Sequence, residues 1–136
     1  MSSNPGPAAF FDSNIPLYLL SADAAKASRA EDLLAEGGTI SVQVLNEVAA
    51  VVRRKHRAPW PTVRATLGAL RQVCRVEPVT VAVHEHAMVL AERHGMPIYD
   101  ACIAASALAA GCSVLYSEDF PHGQVIGGMT IRNPFA

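Results

Sequence analysis

The chain has 136 residues, the size of one compact domain. At 51% hydrophobic and 17% charged it is expected to pack a core, which excludes a disordered protein. Its net charge of −1 excludes nucleic-acid binding through bulk positive charge, so any such binding must rest on a local patch. No run of about 20 apolar residues is present, and no membrane-spanning helix is expected. The opening MSSNPGPAA has neither a basic start nor a long apolar stretch, so a secretory signal is not expected. Cys74, Cys102 and Cys112 are odd in number and lack C-x-x-C spacing. They read as reduced core residues of a cytoplasmic protein, and not as a disulfide or zinc framework.

Residues 1–7, rich in Ser, Gly and Pro, are expected to be a disordered lead before a single domain over 8–136. Ala8 to Phe11 is a brief apolar strand ending at Asp12. Asn14 to Leu20 reads as a short helix with Pro16 in its first turn. Ala24 to Glu36 is helical and is stopped by Gly37-Gly38. Thr39 to Ser41 is a second short strand. Val42 to Arg57 is a long helix with Val44, Val48, Val51 and Val52 along one face, ended by Pro59. Thr62 to Cys74 is a further helix, and Val76 to Val79 a strand interrupted by Pro78. Thr80 to His94 is helical with Gly95 as its stop, and a helix from about Tyr99 to Ala110 is closed by Gly111. Ser113 to Tyr116 is an apolar strand before the turn Ser117-Glu118-Asp119, and Met129 to Arg132 is the last strand. Short apolar strands alternating with helices predict an α/β fold with a mostly parallel sheet and helices on both faces.

In open α/β sheets, chemistry collects at the carboxyl ends of the strands. Asp12 follows the first strand directly, and Asp119 follows the strand 113–116 by a few residues. Two central parallel strands would bring both to one sheet edge. Asp100 opens a helix whose apolar line runs Ile103, Ala104, Ala107 and Leu108, so it faces the packed side. Glu47 sits beside Val44 and Val51 at the edge of its helix's apolar stripe. An acid facing a core is costly unless paired or bound to a cation, and no basic residue adjoins Asp12, Asp100 or Asp119 in sequence. Each acid also has a simpler role. Asp12 can cap the next helix, and Asp100 can be a first-turn acid favoured by the dipole. Glu47 can reach water, and Asp119 can be a turn residue, with Glu118 competing for its place. Together, unpaired carboxylates repel one another, and a divalent cation is the natural neutraliser. All-oxygen ligation suits Mg²⁺ or Mn²⁺ and not zinc. The histidines 84, 86, 94 and 122 read as surface residues, since His84 and His86 do not share a helix face.

Four passages together resemble the PIN-domain ribonucleases, specifically the VapC-like toxins. They are Phe10-Phe11-Asp12-Ser13-Asn14, the strand-to-helix passage Ser41 to Val48 carrying Glu47, Ile98 to Ala107 carrying Asp100, and Val114 to Phe120 carrying Asp119. Ser13 stands where threonine is commoner, and Pro59 to Val79 carries no family signal. The resemblance implies a PIN-like three-layer α/β/α sandwich and a Mg²⁺- or Mn²⁺-dependent ribonuclease. Asp12, Glu47, Asp100 and Asp119 would be the catalytic set, with Asp12, Asp100 and Asp119 holding the metal. Glu47 would orient a water or complete a second metal site, and Asn14 and Ser117 would support them. It also implies a cognate antitoxin and a homodimer. The apolar helices near Ala24 to Leu34 and Val44 to Val52 are expected to dock that antitoxin.

The run Arg53-Arg54-Lys55-His56-Arg57 is the densest basic cluster. Arg53 and Arg54 are candidate RNA contacts, beside the simpler role of complementing a helix C-terminus. Trp60, between two prolines, either stacks a base or packs a corner. A non-catalytic PIN-like module that binds RNA or protein is the alternative, but a binder has no need to gather carboxylates. A phosphotransfer enzyme or receiver fits less well. Asp12 is not followed by the D-x-D of dehalogenase-type hydrolases, and neither Lys26 nor Lys55 follows a late strand.

Overall fold

The apolar residues ahead of Asp12 form strand β1 (Ala9–Phe11) in the computed structural model, which describes residues 8–136. The expected disordered lead lies outside the described residues. Helix α1 (Asn14–Leu17) continues into a 3₁₀ turn over Tyr18–Leu20. Helix α2 (Ala24–Ala35) starts at Asp23, whose carboxylate accepts from the backbone of Ala25 and Lys26. Strand β2 (Gly38–Ser41) runs without a loop into helix α3 (Val42–Lys55), because Ser41 both ends the strand and caps the helix through Val44 N–H. Helix α4 (Trp60–Val73), strand β3 (Cys74–Glu77), helix α5 (Val81–His94) and helix α6 (Ile98–Ala109) follow. Strands β4 (Val114–Tyr116), β5 (Val125–Ile126) and β6 (Met129–Arg132) close the chain.

The sheet order is β3-β2-β1-β4-β6-β5, and every neighbouring pair is parallel except β5 with β6. The chain steps outward from β1 to β2 and β3, then returns through α5 and α6 to β4 on the other side of β1. Parallel crossovers are right-handed, so this reversal puts α1 to α4 on one face and α5 and α6 on the other. The result is the expected three-layer α/β/α arrangement with a mostly parallel sheet. The reversal falls between β1 and β4, the kind of switch point where open sheets leave a crevice. Phe11 pairs with Tyr116, so the next residues, Asp12 and Ser117, emerge side by side.

Phe10, Ile40, Leu115 and Ile131 are fully buried from four neighbouring strands, and Ala101 to Ala107 of α6 are almost all buried. These small residues let α6 pack closely. Among the described residues no helix is long and apolar enough to cross a membrane, and all three cysteines are free.

Four differences from the sequence reading exceed a one-residue shift of a boundary. Helix α3 stops at Lys55 and not at Arg57, since Arg57 takes a left-handed backbone (φ 52°) well before Pro59 acts. Helix α4 begins two residues early at Trp60, with Pro61 tolerated in its first turn. Strand β3 begins at Cys74 and ends at Glu77, because Pro78 has no N–H for the ladder. Strand β5 was not expected; it pairs with β6 across Gly127-Gly128, both at positive φ.

Gly38 is set by close approach. A Cβ there would lie 2.5 Å from the Phe11 ring and 2.9 Å from the Ala9 carbonyl oxygen. Gly38→Ala is therefore expected to destabilise the protein by about 1–3 kcal/mol, the usual cost of overpacking. A thermal melt that superimposes on the wild type would refute this account of the β1–β2 contact.

Candidate active site

Asp12 is the anchor. It leaves β1 at the switch point with only 2% of its surface exposed. Its Oδ1 accepts from Ser13 N–H (2.7 Å) and its Oδ2 from the Ser117 hydroxyl (2.7 Å). The carboxylate does not reach the second or third N–H of α1, so the capping role does not explain it. Burial pushes its pKa from 3.8 up to about 7, against the two hydrogen bonds, and the charges of Asp119 and Glu47 add to the rise. Among the described residues the one ion pair is Arg75 with Glu77 on β3, so no cation answers these acids.

Ser117 is fully buried and ties the two central strands together. Besides donating to Asp12, its oxygen accepts from Asp119 N–H (3.0 Å), which fixes the turn after β4. Asp119 is exposed, and its Oδ2 accepts from Asn14 Nδ2 (3.1 Å). Glu118 turns elsewhere, and both its oxygens accept from the Tyr18 hydroxyl (2.7 and 2.9 Å). Of the two adjacent acids, it is Asp119 that faces Asp12 and Asp100.

Asp100 is half-buried in the first turn of α6, which has no side-chain cap. Burial raises its pKa, and Asp119 and Glu47 raise it further. Glu47 is half-buried on α3, and its Oε2 accepts from Gln43 Nε2 (3.3 Å), which also donates to the Tyr99 carbonyl (3.1 Å). Gln43 thus links α3 to the start of α6 and steadies Glu47. The sequence reading missed Gln43; its one signal is the i, i+4 spacing from Glu47.

The structure therefore brings Asp12, Glu47, Asp100 and Asp119 into one electrostatic neighbourhood, with Asn14 and Ser117 hydrogen-bonded to it. It leaves Arg53 and Arg54 at the far end of α3. His84, His86 and His94 are exposed on α5, and His122 accepts from Asn133 N–H through Nδ1 (2.9 Å). A cavity of about 750 Å³ holds none of the acids; it lies over Phe11 and Tyr116 beneath α2 and the C-terminal tail.

The donor set fits a divalent cation. All four groups are carboxylates, and the charges of Asp119 and Glu47 make Asp12 and Asp100 costlier to ionise. The Asn14 Oδ1 is buried and has no hydrogen-bond partner among the described residues. Its orientation is fixed by the bond that Nδ2 makes to Asp119. Among the described residues no three His, Cys, Asp or Glu side chains form a closed cage as they stand. An ion here would be shared between some of the acids and water, as Mg²⁺ commonly is.

A family model described as the PIN domain matches residues 9–122, a span that includes all four acids. A comparison with curated proteins finds no match. Among solved structures, the chain is similar to a toxin–antitoxin complex from Klebsiella pneumoniae. That match is 22% identical over 93% of this chain and 98% of the other, with a TM-score of 0.72. It is also similar to VapC20 from Mycobacterium tuberculosis, described as a sarcin–ricin loop cleaving toxin. There the identity is 23%, the coverage 90% and 99%, and the TM-score 0.70. DNA-bound VapBC from Salmonella typhimurium follows at 18% identity, 94% and 98% coverage and a TM-score of 0.68. At these identities the structures speak to the fold, and the family model speaks to membership. The chain belongs to the PIN domain family.

Proposed function

We propose that this protein is a Mg²⁺- or Mn²⁺-dependent ribonuclease, acting in the cytoplasm as the toxin of a toxin–antitoxin pair. The observation that carries the reading is Asp12, a carboxylate almost wholly buried at the sheet's switch point, with the charges of Asp119 and Glu47 acting on it and no cation paired with it among the described residues. Such an arrangement is costly for a structural role and suited to holding a metal.

Asp12, Asp100 and Asp119 would hold the ion, directly or through water. A bound divalent cation supplies counter-charge to the phosphodiester and makes water a stronger acid near neutral pH. The chain's own groups do the remaining work. Ser117 and Ser13 aim the Asp12 carboxylate and favour its charged form. Gln43 holds Glu47 ready to orient the attacking water and take its proton. Asn14 fixes Asp119 through Nδ2, while its own Oδ1 stays buried beside the acids without a partner among the described residues.

The antitoxin's seat would lie within the sequence expectation but on a narrower surface, because the apolar stripes of α2 and α3 are largely spent on the core, where Ala30, Leu33, Val44 and Val52 are buried. What remains open is an apolar groove of about 370 Å³ between the Tyr18–Leu20 turn, α2, α3 and α4, with Leu19, Leu20 and Val73 exposed on its rim. An amphipathic antitoxin segment would lie there. Val81, Met88 and Val89 form an exposed apolar line on α5 that favours a homodimer.

Purified protein incubated with total RNA is expected to cleave it with added Mg²⁺ or Mn²⁺, to stop on chelation and to resume when metal is restored. RNA left intact with either metal, under conditions where calorimetry shows the metal bound, would remove the ribonuclease reading.

A further inference from the structure

The acids account for one sheet edge, but the chain's positive charge is gathered elsewhere. Seven of the eleven Lys and Arg residues lie between Glu47 and Glu77, a stretch with no acid inside it. A protein of net charge −1 therefore carries a strongly basic segment built from the end of α3, the corner after it and α4. Arg53, Arg54, Lys55 and Arg57 are all exposed at that corner, and among the described residues none of them makes an ion pair.

The protein's one tryptophan stands in the same corner. Trp60 is 52% exposed, although burying a ring of this size is strongly favourable. The Arg53 guanidinium lies over the ring, 4.9 Å from its centre. Arg53 is itself fixed there by donating Nη1–H to the Ala58 carbonyl (3.0 Å). The indole is thus clamped from one side and left open to water.

One residue of the corner shares a helix side with one of the acids, although it sits at the far end of α3. Arg54 comes seven residues after Glu47, so it lies on the same side of α3, about 10 Å along the axis. On α4, Arg64 is one turn beyond Trp60 and shares its side. A single strand with a phosphate at the acids would meet Arg54 if it ran along α3 toward this corner.

We propose that this corner is a single-stranded RNA subsite. An unpaired base stacks on the open face of Trp60, and the flanking phosphates meet Arg54, Arg57 and Arg64. The proposal deepens the ribonuclease reading and rests on it. Aromatic stacking accepts any base, since each has a π-face, and the surrounding arginines track the backbone. An acidic protein segment would meet the charges but gives no reason for a flat, clamped and exposed indole.

Because Trp60 is the sole tryptophan, its fluorescence reports on this corner alone. A short mixed-sequence single-stranded RNA, titrated into the full chain with chelator present, is expected to quench it saturably. The quench should weaken steeply as salt is raised. Anisotropy of the labelled RNA should show about tenfold weaker binding for Trp60→Ala and about twofold for Trp60→Phe, in line with one lost stacked base. Trp60→Phe keeps a ring at the corner and so separates stacking from any loss of fold. RNA binding without quenching, equal affinity in Trp60→Ala, or an equal quench by polyglutamate would each overturn the subsite. If RNA binds through Trp60 but no divalent metal elicits cleavage, the nuclease reading fails and the subsite stands. If RNA is cleaved while Trp60 stays silent, the subsite alone fails.

Discussion

Asp12→Asn is expected to abolish RNA cleavage and, at neutral pH without metal, to make the protein more stable. The loss of activity should be about 10²–10⁴-fold, the range a positioned acid or base commonly contributes. The gain in stability follows from burial. In the folded chain Asp12 holds its proton up to about pH 7, whereas a free carboxyl loses it near 3.8. Between those values the folded state binds more protons than the unfolded state, so stability falls as pH rises. Moving the carboxyl from 3.8 to about 7 corresponds to a cost of about 4 kcal/mol once the pH exceeds both values. Asn removes that cost but loses one carboxylate acceptor, so the Ser117 hydroxyl must turn, at about 1–2 kcal/mol. A net gain of about 2 kcal/mol remains, or several degrees in Tm for a chain of this size. The gain should be present at pH 8 and gone near pH 4, where the folded carboxyl is protonated and the unfolded one is close to its own midpoint, so little of the cost remains. Excess Mg²⁺ or Mn²⁺ should raise the wild-type Tm and leave the variant where it was. A variant that melts at or below the wild type at pH 8, with chelator present, would contradict the placement of an unanswered charge in the core.

Much of this site is legible in the sequence, for a physical reason. Short apolar runs that stop at a polar turn give away β1 and β4, and two adjacent parallel strands of that kind must deliver Asp12 and Ser117 to one edge. Asp100 is legible because helical spacing alone aims it toward the packed side of α6. The corner at Trp60 is less so. The composition of α3 stays helical through Arg57, and what ends it is a left-handed backbone that arginine does not announce. Strand β5 has only two residues, too few for alternation to show, although Gly127-Gly128 is a strong turn signal. Gln43 is invisible for another reason, since its value lies in reaching both Glu47 and the Tyr99 carbonyl on a different helix.

The adjacent acids Glu118 and Asp119 mark the limit of sequence reading most sharply, and they yield the second large effect. Both sit in one polar turn, and nothing local separates them. What separates them is each one's partner, about a hundred residues away. Tyr18 engages both oxygens of Glu118, and this bond, with lesser help from burial, pushes the phenol's pKa up to about 12. Asn14 engages only one oxygen of Asp119 and leaves the other free. Asp119→Asn keeps an oxygen to accept from Asn14, so the turn should hold while the charge is lost. Activity is then expected to fall about 10–100-fold, the usual consequence of disturbing a metal's surroundings, and calorimetry should show weaker Mg²⁺ or Mn²⁺ binding. Glu118→Gln keeps an acceptor for Tyr18 and takes no charge from the cluster, so cleavage should stay within about threefold of the wild type. The reverse pattern, an inert Glu118→Gln and an active Asp119→Asn, would mean that Glu118 leaves Tyr18 when the enzyme works.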